Sequence, residues 1–294
     1  MSKNIESWLS GGDFVEIQGS RIFFRRSDTG GEVLLCLHGF PTSSLDYRKV
    51  WPGLAARYSL LAFDMLGYGF SDKPPDGKYT THNQADILEA LLAKFGIKSI
   101  HVISHDYGNT IIQELLARDM EGGLDFSIES ICFMNGALFP ETHRPILAQK
   151  LLIGPIGAVL GRFTPDRFFK RSLASIFGRD TKPTAEELND FVEAFKYKDG
   201  KRIAHTLIQY MRERYVYRER WVEPLRNLRR PFRFINGLAD PVSGQHLIDR
   251  FREVVPDQKD IVELKEIGHF PHFEVPETVL ARYFEFREGI APNA

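Results

Sequence analysis

A carboxylate at a sharp turn is the residue best placed to do chemistry in this sequence. The stretch VISHDYGNT, residues 102–110, starts with apolar residues typical of a strand and continues into IIQELLARD, which is typical of a helix. A strand–turn–helix junction with small flanking residues often holds a serine nucleophile above a sheet. Here the raised position carries Asp106. A carboxylate attacks amides poorly, but it can attack a strained or activated carbon and form a covalent ester.

A second acid and a histidine follow later in the chain, each after a strand-like run. INGLADPVS places Asp240 after FRFIN, and EIGHFPHFE places His269 after DIVELKE. An imidazole accepts a proton well near neutral pH, so His269 could activate water against an ester. Asp240 could hold the His269 tautomer and stabilise the imidazolium. His272 and His105 are interpreted as a packing histidine and a structural hydrogen-bonding histidine.

The elements that must position these residues follow from the hydrophobic pattern. Short β-rich runs recur, and from the third onward they alternate with helical patterns such as HNQADILEALLAKF. This alternation predicts a mainly parallel sheet covered by helices on both faces. The first two runs, FVEI and RIFFRR, are predicted to form an antiparallel hairpin at the sheet edge. Ligands bind at the carboxyl ends of strands in such sheets, where the candidate residues lie.

The strand pattern breaks between about residues 140 and 221. Helical stretches such as TAEELNDFVEAFKYK and RIAHTLIQYMRERY occupy this segment. It predicts an all-helical cap domain, residues 139–222, inserted into a core domain of residues 1–138 and 223–294. The apolar run LLIGPIGAVLG is predicted as cap core, with a lipid-facing or substrate-access surface as the alternative. The charged run RERYVYRERW is predicted as a solvated helix face.

Composition excludes several classes of function. Among 294 residues, Lys+Arg 38 and Asp+Glu 39 give a formal charge of -1, so no global field favours nucleic acid or acidic lipid. Cys36 and Cys132 lie in apolar strand-like runs and are interpreted as inert thiols. No metal or cofactor is expected. The N-terminus lacks the apolar stretch of a signal peptide, and no apolar run approaches the ~20 residues that span a bilayer, so a cytoplasmic protein without stable membrane insertion is predicted.

Taken in order, these motifs resemble a known family over nearly the whole chain. CLHGFPTSS, DMLGYGFSDKP and SHDYG, followed by Asp240 and His269, resemble the α/β-hydrolase fold with a helical cap. The resemblance implies a mostly parallel eight-stranded sheet flanked by helices. An Asp nucleophile with HGFP resembles the epoxide hydrolases, and the haloalkane dehalogenases are close to them. FPTSS, SHDYG and NGALFPETHRP also resemble the mesoderm-specific-transcript group.

The resemblance implies hydrolysis of epoxides to vicinal diols through an alkyl ester on Asp106, which His269 and Asp240 then release by activating water. The backbone N–H groups of Phe40 and Tyr107 are expected to hold the oxyanion. The family's HGxP turn implies a cis bond between Phe40 and Pro41. The predicted partners are a small apolar organic substrate and water, with no nucleic acid, and the oligomeric state is left open.

Epoxide hydrolases raise two cap tyrosines toward the epoxide oxygen. The first half of this cap, residues 139–179, contains no tyrosine. Tyr210, in QYMRE, is the candidate acid, with Tyr215 or Tyr217 as substitutes and an ordinary helix aromatic as the alternative.

Other reactions stay open from the sequence. Haloalkane dehalogenases hold the halide with an Asn after HG and a Trp after the nucleophile, where this chain has Phe40 and Tyr107. Dehalogenation therefore ranks second, ester or lactone hydrolysis third, and a non-catalytic binding module fourth.

Overall fold

One mixed sheet forms the centre of the protein. The computed structural model describes residues 2–290, so the ends of the predicted core domain, residues 1 and 291–294, lie outside the described residues. The strands are β1 (Gly12–Ile17), β2 (Ser20–Ser27), β3 (Val33–Leu37), β4 (Ser59–Phe63), β5 (Ser99–His105), β6 (Ser127–Met134), β7 (Phe232–Gly237) and β8 (Ile261–Leu264).

The eight strands lie in the order β1-β2-β4-β3-β5-β6-β7-β8. β1 pairs with β2 and β2 with β4 in the antiparallel sense, and every other pair is parallel. The predicted mostly parallel eight-stranded sheet, with a hairpin at one edge, is confirmed. Parallel neighbours need long crossover connections, and the helices supply them.

Helices cover both faces of the sheet, and further helices make up much of the segment between β6 and β7. They are α1 (Lys3–Ser10), α2 (Trp51–Ala55), α3 (Thr81–Lys94), α4 (Tyr107–Met120), α5 (Leu147–Ile153), α6 (Gly157–Phe163), α7 (Asp166–Ala174), α8 (Ala185–Lys196), α9 (Ala204–Leu207), α10 (Tyr210–Val216), α11 (Arg218–Arg226), α12 (Gln245–Val254), α13 (Pro271–Glu274) and α14 (Pro276–Glu288). Three 3-10 turns add Ser44–Lys49, Pro140–Thr142 and Tyr197–Ile203. No helix within residues 2–290 combines the length and apolar character that crossing a bilayer requires.

The central strands are buried on both faces, as their unbroken apolar runs predict. In β3, Leu34 and Cys36 pack into the cluster on one face of the sheet, while Leu35 and Leu37 pack into the cluster on the other. This alternation is the two-residue period of a strand. Burial raises the pKa of the Cys36 thiol, which agrees with the predicted inert cysteine.

The segment between β6 and β7, all of which the structure describes, consists of helices and 3-10 turns joined by loops, and it contributes no strand to the sheet. The division into a cap at 139–222 and a core domain stays a prediction, since α11 runs across its second boundary.

A buried carboxylate fixes the end of this helical segment to the core. Glu114 on α4 accepts hydrogen bonds from Arg220 Nε and Trp221 Nε1, both at 2.8 Å. Burial alone would raise the pKa of Glu114, but the hydrogen bonds from Arg220, Arg118 and Trp221 lower it to about 2. Glu114 is therefore ionised at neutral pH. These bonds hold α11 against α4, the helix that follows Asp106.

The apolar run of residues 151–161 is core only in part. Leu152 and Ile153 pack against the main core cluster, whereas three other side chains of the run are exposed. Leu151 is 44% exposed, Ile156 57% and Val159 59%. The run falls on α5 and α6, two short helices that no further layer of the described chain covers on their outer side. A prediction of core from composition fails here because it assumes a second apolar face that the fold does not supply.

Candidate active site

The backbone holds Asp106 in an unusual conformation between β5 and α4. Its φ of 48° and ψ of -110° lie in a region that residues other than glycine rarely adopt. The Asp106 N–H donates to the Asn135 carbonyl oxygen at 2.7 Å. A Cβ on Gly136 would lie 2.3 Å from the Asp106 Cα, and one on Gly39 would lie 2.5 Å from its Cβ. Neighbours without side chains therefore make room for the sharp turn that raises the carboxylate.

A backbone N–H group faces the Asp106 carboxylate. The Phe40 N–H donates to Asp106 Oδ2 at 3.0 Å, and the Phe40–Pro41 bond is cis, as the sequence predicts. Tyr107 is the first residue of α4, so its N–H has no acceptor within the helix. The Phe40 N–H therefore lies beside the carboxylate, where it could stabilise negative charge on Oδ2. The oxyanion role of the Tyr107 N–H stays a prediction.

The second acid and the histidine form a buried pair. His269 Nδ1 donates to Asp240 Oδ2 at 2.7 Å. Asp240 also accepts from the Ser243 hydroxyl at 2.6 Å and from Asn135 Nδ2 at 3.1 Å. Burial alone would raise the pKa of Asp240, but the His269 charge and these hydrogen bonds lower it to about 2. Asp240 is an anion at neutral pH, and its hydrogen bond to Nδ1 fixes the orientation of the His269 ring.

The charge of Asp106 reaches His269. Burial alone would lower the pKa of His269, but Asp240 first and Asp106 next raise it to about 9. The resting imidazole is therefore protonated at neutral pH. Esterification would remove the charge of Asp106, so it would lower the pKa of His269 and convert the ring into a base.

This coupling gives a measurable prediction. Asp106→Asn should lower the pKa of His269 from about 9, and Asp240→Asn should lower it further because Asp240 contributes more to the rise. NMR titration of the His269 ring would measure both changes. Asp249→Asn, an exposed acid on α12, should leave the His269 pKa unchanged. An Asp106→Asn variant with the same His269 pKa as the parent protein would contradict the coupling.

Of the three cap tyrosines named from the sequence, Tyr210 lies at the site. Its ring stacks on Tyr107 with centroids 4.3 Å apart and contacts Phe40 at 5.8 Å. Its side chain is buried, and its hydroxyl has no hydrogen-bond partner among the described residues. Burial raises the pKa of Tyr210 well above its ordinary value, and the charge of Asp106 raises it further. The phenol therefore stays protonated beside the carboxylate.

The other two tyrosines lie elsewhere. The Tyr215 hydroxyl donates to the Pro140 carbonyl oxygen at 3.2 Å, and its side chain is 67% exposed. Tyr217 packs against His82, with ring centroids 4.5 Å apart. Tyr215 lies on the exposed side of α10, and Tyr217 is the residue that follows the end of that helix. Tyr215 and Tyr217 are therefore set aside as substitutes for Tyr210.

Arg214 was missed because its charged run predicted a solvated face. It lies four residues after Tyr210, on the same face of α10, and is buried. Arg214 Nε and Nη2 donate to Thr110 Oγ1 at 3.0 and 2.8 Å, and Nη2 lies 3.9 Å from Asp106 Oδ1. Its spacing from Tyr210 is the signal that could have identified it. Arg214 gives the site a fixed positive charge near the carboxylate.

The predicted supporting histidines lie behind the site. His105 Nε2 donates to the His269 carbonyl oxygen at 2.7 Å, as expected of a structural hydrogen-bonding histidine. His272 is buried and stacks on Tyr47 with centroids 4.8 Å apart. Burial lowers the pKa of His272 to about 3, so it is neutral. Neither ring competes with His269 for the role of base.

A cavity of about 690 Å³ opens onto Asp106 and His269. Its floor includes Phe40, Asp106 and His269, while its walls come largely from apolar side chains of α5, α6 and α7. Tyr210 and Arg214 lie behind this lining, against Phe40 and Asp106. The volume is typical of a site for a small organic molecule. The lining favours an apolar ligand that presents one reactive atom to Asp106.

A parallel sheet, a strained turn carrying Asp106, and an Asp240–His269 pair at the strand ends together define an α/β hydrolase. Residues 32–276 match the α/β-hydrolase fold family, and the chain belongs to that family.

Its relatives cover almost the whole chain. The mesoderm-specific transcript homolog protein of Bos taurus is 39% identical over 300 residues, covering 97% of this chain and 88% of that protein. LipZ, a candidate hydrolase of Mycobacterium tuberculosis strain H37Rv, is 34% identical over 278 residues, covering 94% of this chain and 95% of LipZ.

Solved structures share the fold at low sequence identity. The haloalkane dehalogenase DatA from Agrobacterium tumefaciens C58 has a TM-score of 0.80 at 20% identity, covering 95% of this chain and 97% of that one. Epoxide hydrolase CorEH has a TM-score of 0.73 at 19% identity, covering 94% and 98%. Fold and relatives together make this protein a hydrolase.

Proposed function

We propose that the protein hydrolyses epoxides of apolar molecules to vicinal diols, with Asp106 as the nucleophile. The observation that carries this proposal is the buried Tyr210 hydroxyl, which has no partner in the described chain and belongs to a ring that packs against Phe40 and Tyr107 next to Asp106. Buried polar groups normally have a hydrogen-bond partner. An epoxide oxygen held against Asp106 would supply one.

The first step joins the substrate to the protein. Asp106 attacks an epoxide carbon, a carbon–oxygen bond of the ring breaks, and the released oxygen takes the Tyr210 proton. A hydroxyalkyl ester on Asp106 and a Tyr210 phenolate result. The Arg214 guanidinium, 3.9 Å from Asp106 Oδ1 and over the Tyr210 ring at 4.7 Å, stabilises that phenolate.

The second step releases the diol. Once the ester is neutral, the His269 imidazolium gives its proton to the Tyr210 phenolate through water, which restores the phenol and leaves His269 neutral. His269 Nε2 then takes a proton from water, and the hydroxide attacks the Asp106 carbonyl carbon. The Phe40 and Tyr107 N–H groups stabilise the oxyanion. Collapse breaks the ester bond, and His269 protonates the departing diol oxygen. The regenerated Asp106 carboxylic acid gives its proton to His269, which restores the resting carboxylate and imidazolium.

Haloalkane dehalogenation is the second candidate, and Arg214 is the observation that favours it. A departing halide needs donors and no proton, and the Arg214 guanidinium is a cation near Asp106. The DatA structure is that of a haloalkane dehalogenase, which adds support for this alternative. We rank epoxide hydrolysis above dehalogenation because the Tyr210 phenol can donate a proton, which an opening epoxide requires and a departing halide does not.

A substrate panel separates these reactions. Purified protein incubated in parallel with aliphatic epoxides, bromoalkanes and carboxylic esters should form diol from epoxides faster than it releases halide or acid. Product analysis by gas chromatography and halide titration measures the three rates. Faster halide release would transfer the proposal to dehalogenation, and faster ester cleavage to an esterase. Activity on none of them would favour a binding module.

The remaining expectations are part of the same proposal. The substrate is a small apolar molecule, water is the second reactant, and no metal, cofactor or nucleic acid takes part. A cytoplasmic location stays a prediction.

A further inference from the structure

An apolar rim surrounds the mouth of the cavity. We define the cap rim as six exposed large apolar side chains on or beside α5, α6 and α7: Leu147, Leu151, Ile156, Val159, Phe163 and Phe168. Their exposures run from 44% for Leu151 to 72% for Phe163. Every member except Ile156 also lines the cavity that reaches Asp106 and His269. The apolar surface is thus continuous from solvent to the reactive carboxylate.

The segment that carries the cap rim is strongly basic. Residues 144–171 contain six Lys or Arg residues and one acid, Asp166, whereas the whole chain has a formal charge of -1. Asp166 is already paired with Lys196 and Lys201, at 2.7 and 2.9 Å. The segment therefore has a formal charge of +5, whereas the rest of the chain, with 32 Lys or Arg and 38 Asp or Glu, has a formal charge of -6.

Arginines stand directly beside the two exposed phenylalanines. The guanidinium carbon of Arg162 lies 5.8 Å from the Phe163 ring centroid, and that of Arg167 lies 5.1 Å from the Phe168 centroid. Among residues 2–290, neither arginine has a carboxylate within ion-pair distance. Aromatic and aliphatic side chains next to unpaired cations match the boundary between lipid tails and anionic headgroups.

We propose that the cap rim binds the surface of a bilayer that contains anionic phospholipids and takes apolar substrates directly from it. The exposed apolar side chains enter the headgroup region, the arginines contact lipid phosphates, and the cavity mouth then opens toward the acyl chains. Contact is peripheral, through short helices lying on the membrane surface. This inference concerns where substrate is acquired and does not depend on which bond the site breaks.

Vesicle flotation tests the proposal with the full chain. The protein should float with phosphatidylcholine vesicles that contain phosphatidylglycerol, and far less with phosphatidylcholine alone. Arg162→Gln/Arg167→Gln should weaken partitioning into anionic vesicles by roughly 30-fold, from the loss of two charges at the surface. Phe163→Ser/Phe168→Ser should weaken it by at least roughly tenfold, through lost apolar burial. High salt should reduce binding of the parent protein.

Val216→Ser is the matched control, because Val216 is 74% exposed but lies outside the cap rim on α10. It should bind vesicles like the parent protein. Circular dichroism and thermal melting would show that every variant keeps its fold. Equal binding to neutral and anionic vesicles, or no vesicle binding at all, would overturn the proposal. So would a dimer that Phe163→Ser/Phe168→Ser dissolves without any binding to vesicles, since the cap rim would then pair with a second copy.

Discussion

Replacing His269 with glutamine is expected to stop turnover and leave a covalent ester on Asp106. Asp106 attacks the substrate without help from a base, so the first step continues. Hydrolysis of the ester needs a proton acceptor, which glutamine is not, so steady-state turnover should fall by roughly 10²–10⁴-fold. Intact-mass spectrometry after incubation with an epoxide should show a protein heavier by one substrate. Peptide mapping should place the added mass on Asp106.

The double variant Asp106→Ala/His269→Gln is the control, because it retains the cavity and lacks the nucleophile. It should show no adduct, and Asp106→Ala alone should lose turnover. A His269→Gln protein that turns over at the normal rate would contradict the two-step scheme. An adduct that persists in the double variant would show that a different side chain is the nucleophile.

Tyr210→Phe is expected to cut epoxide turnover by roughly 10²–10⁴-fold, the usual contribution of a general acid. The change removes only the hydroxyl that would protonate the opening epoxide. Thermal stability should hold, because this hydroxyl makes no hydrogen bond to the described residues. The covalent ester should also accumulate more slowly in Tyr210→Phe/His269→Gln than in His269→Gln, since the acid serves the first step.

Two other buried phenols provide matched comparisons. Tyr283 also has a buried hydroxyl without a partner in the described chain, but it packs in the cluster beneath the opposite face of the sheet. Tyr283→Phe should leave turnover unchanged. The ring of Tyr68 lies 6.2 Å from that of Tyr107 between centroids, and its buried hydroxyl also has no partner among the described residues. A large loss in Tyr68→Phe with none in Tyr210→Phe would move the acid to Tyr68. Unchanged epoxide turnover in both would remove the support for a phenolic acid.

The membrane proposal and the epoxide proposal depend on different residues, so each can be tested without the other. Vesicle binding depends on Arg162 and Arg167, which lie outside the cavity lining, whereas ester formation depends on Asp106 at its floor. A protein that binds anionic vesicles and opens no epoxide would support the membrane proposal and contradict the epoxide proposal. A protein that opens epoxides and binds no vesicles would support the epoxide proposal and contradict the membrane proposal.

Local patterns were enough to predict the fold and to name Asp106, Asp240 and His269, the candidate residues that line or support one cavity. Unbroken apolar runs indicated central strands because both faces of a parallel sheet are covered. The sharp turn at Asp106 and the strand ends before Asp240 and His269 predicted that these three residues share one site, since the carboxyl ends of parallel strands meet at one edge of the sheet. The cis Phe40–Pro41 bond followed from a family motif. Each of these inferences needs only neighbouring residues and the direction of the strands.

The surroundings of the site were decided by tertiary structure alone. Whether a charged residue such as Arg214 is solvated depends on which face of α10 packs on α4, and composition contains no information about that face. Tyr210 was separated from Tyr215 for the same reason, because a helix turns neighbouring side chains to opposite sides. Several apolar residues of α5 and α6 stayed exposed because nothing in the described fold covers them. Burial is a property of the packed assembly of helices and sheet, and a single segment cannot determine it.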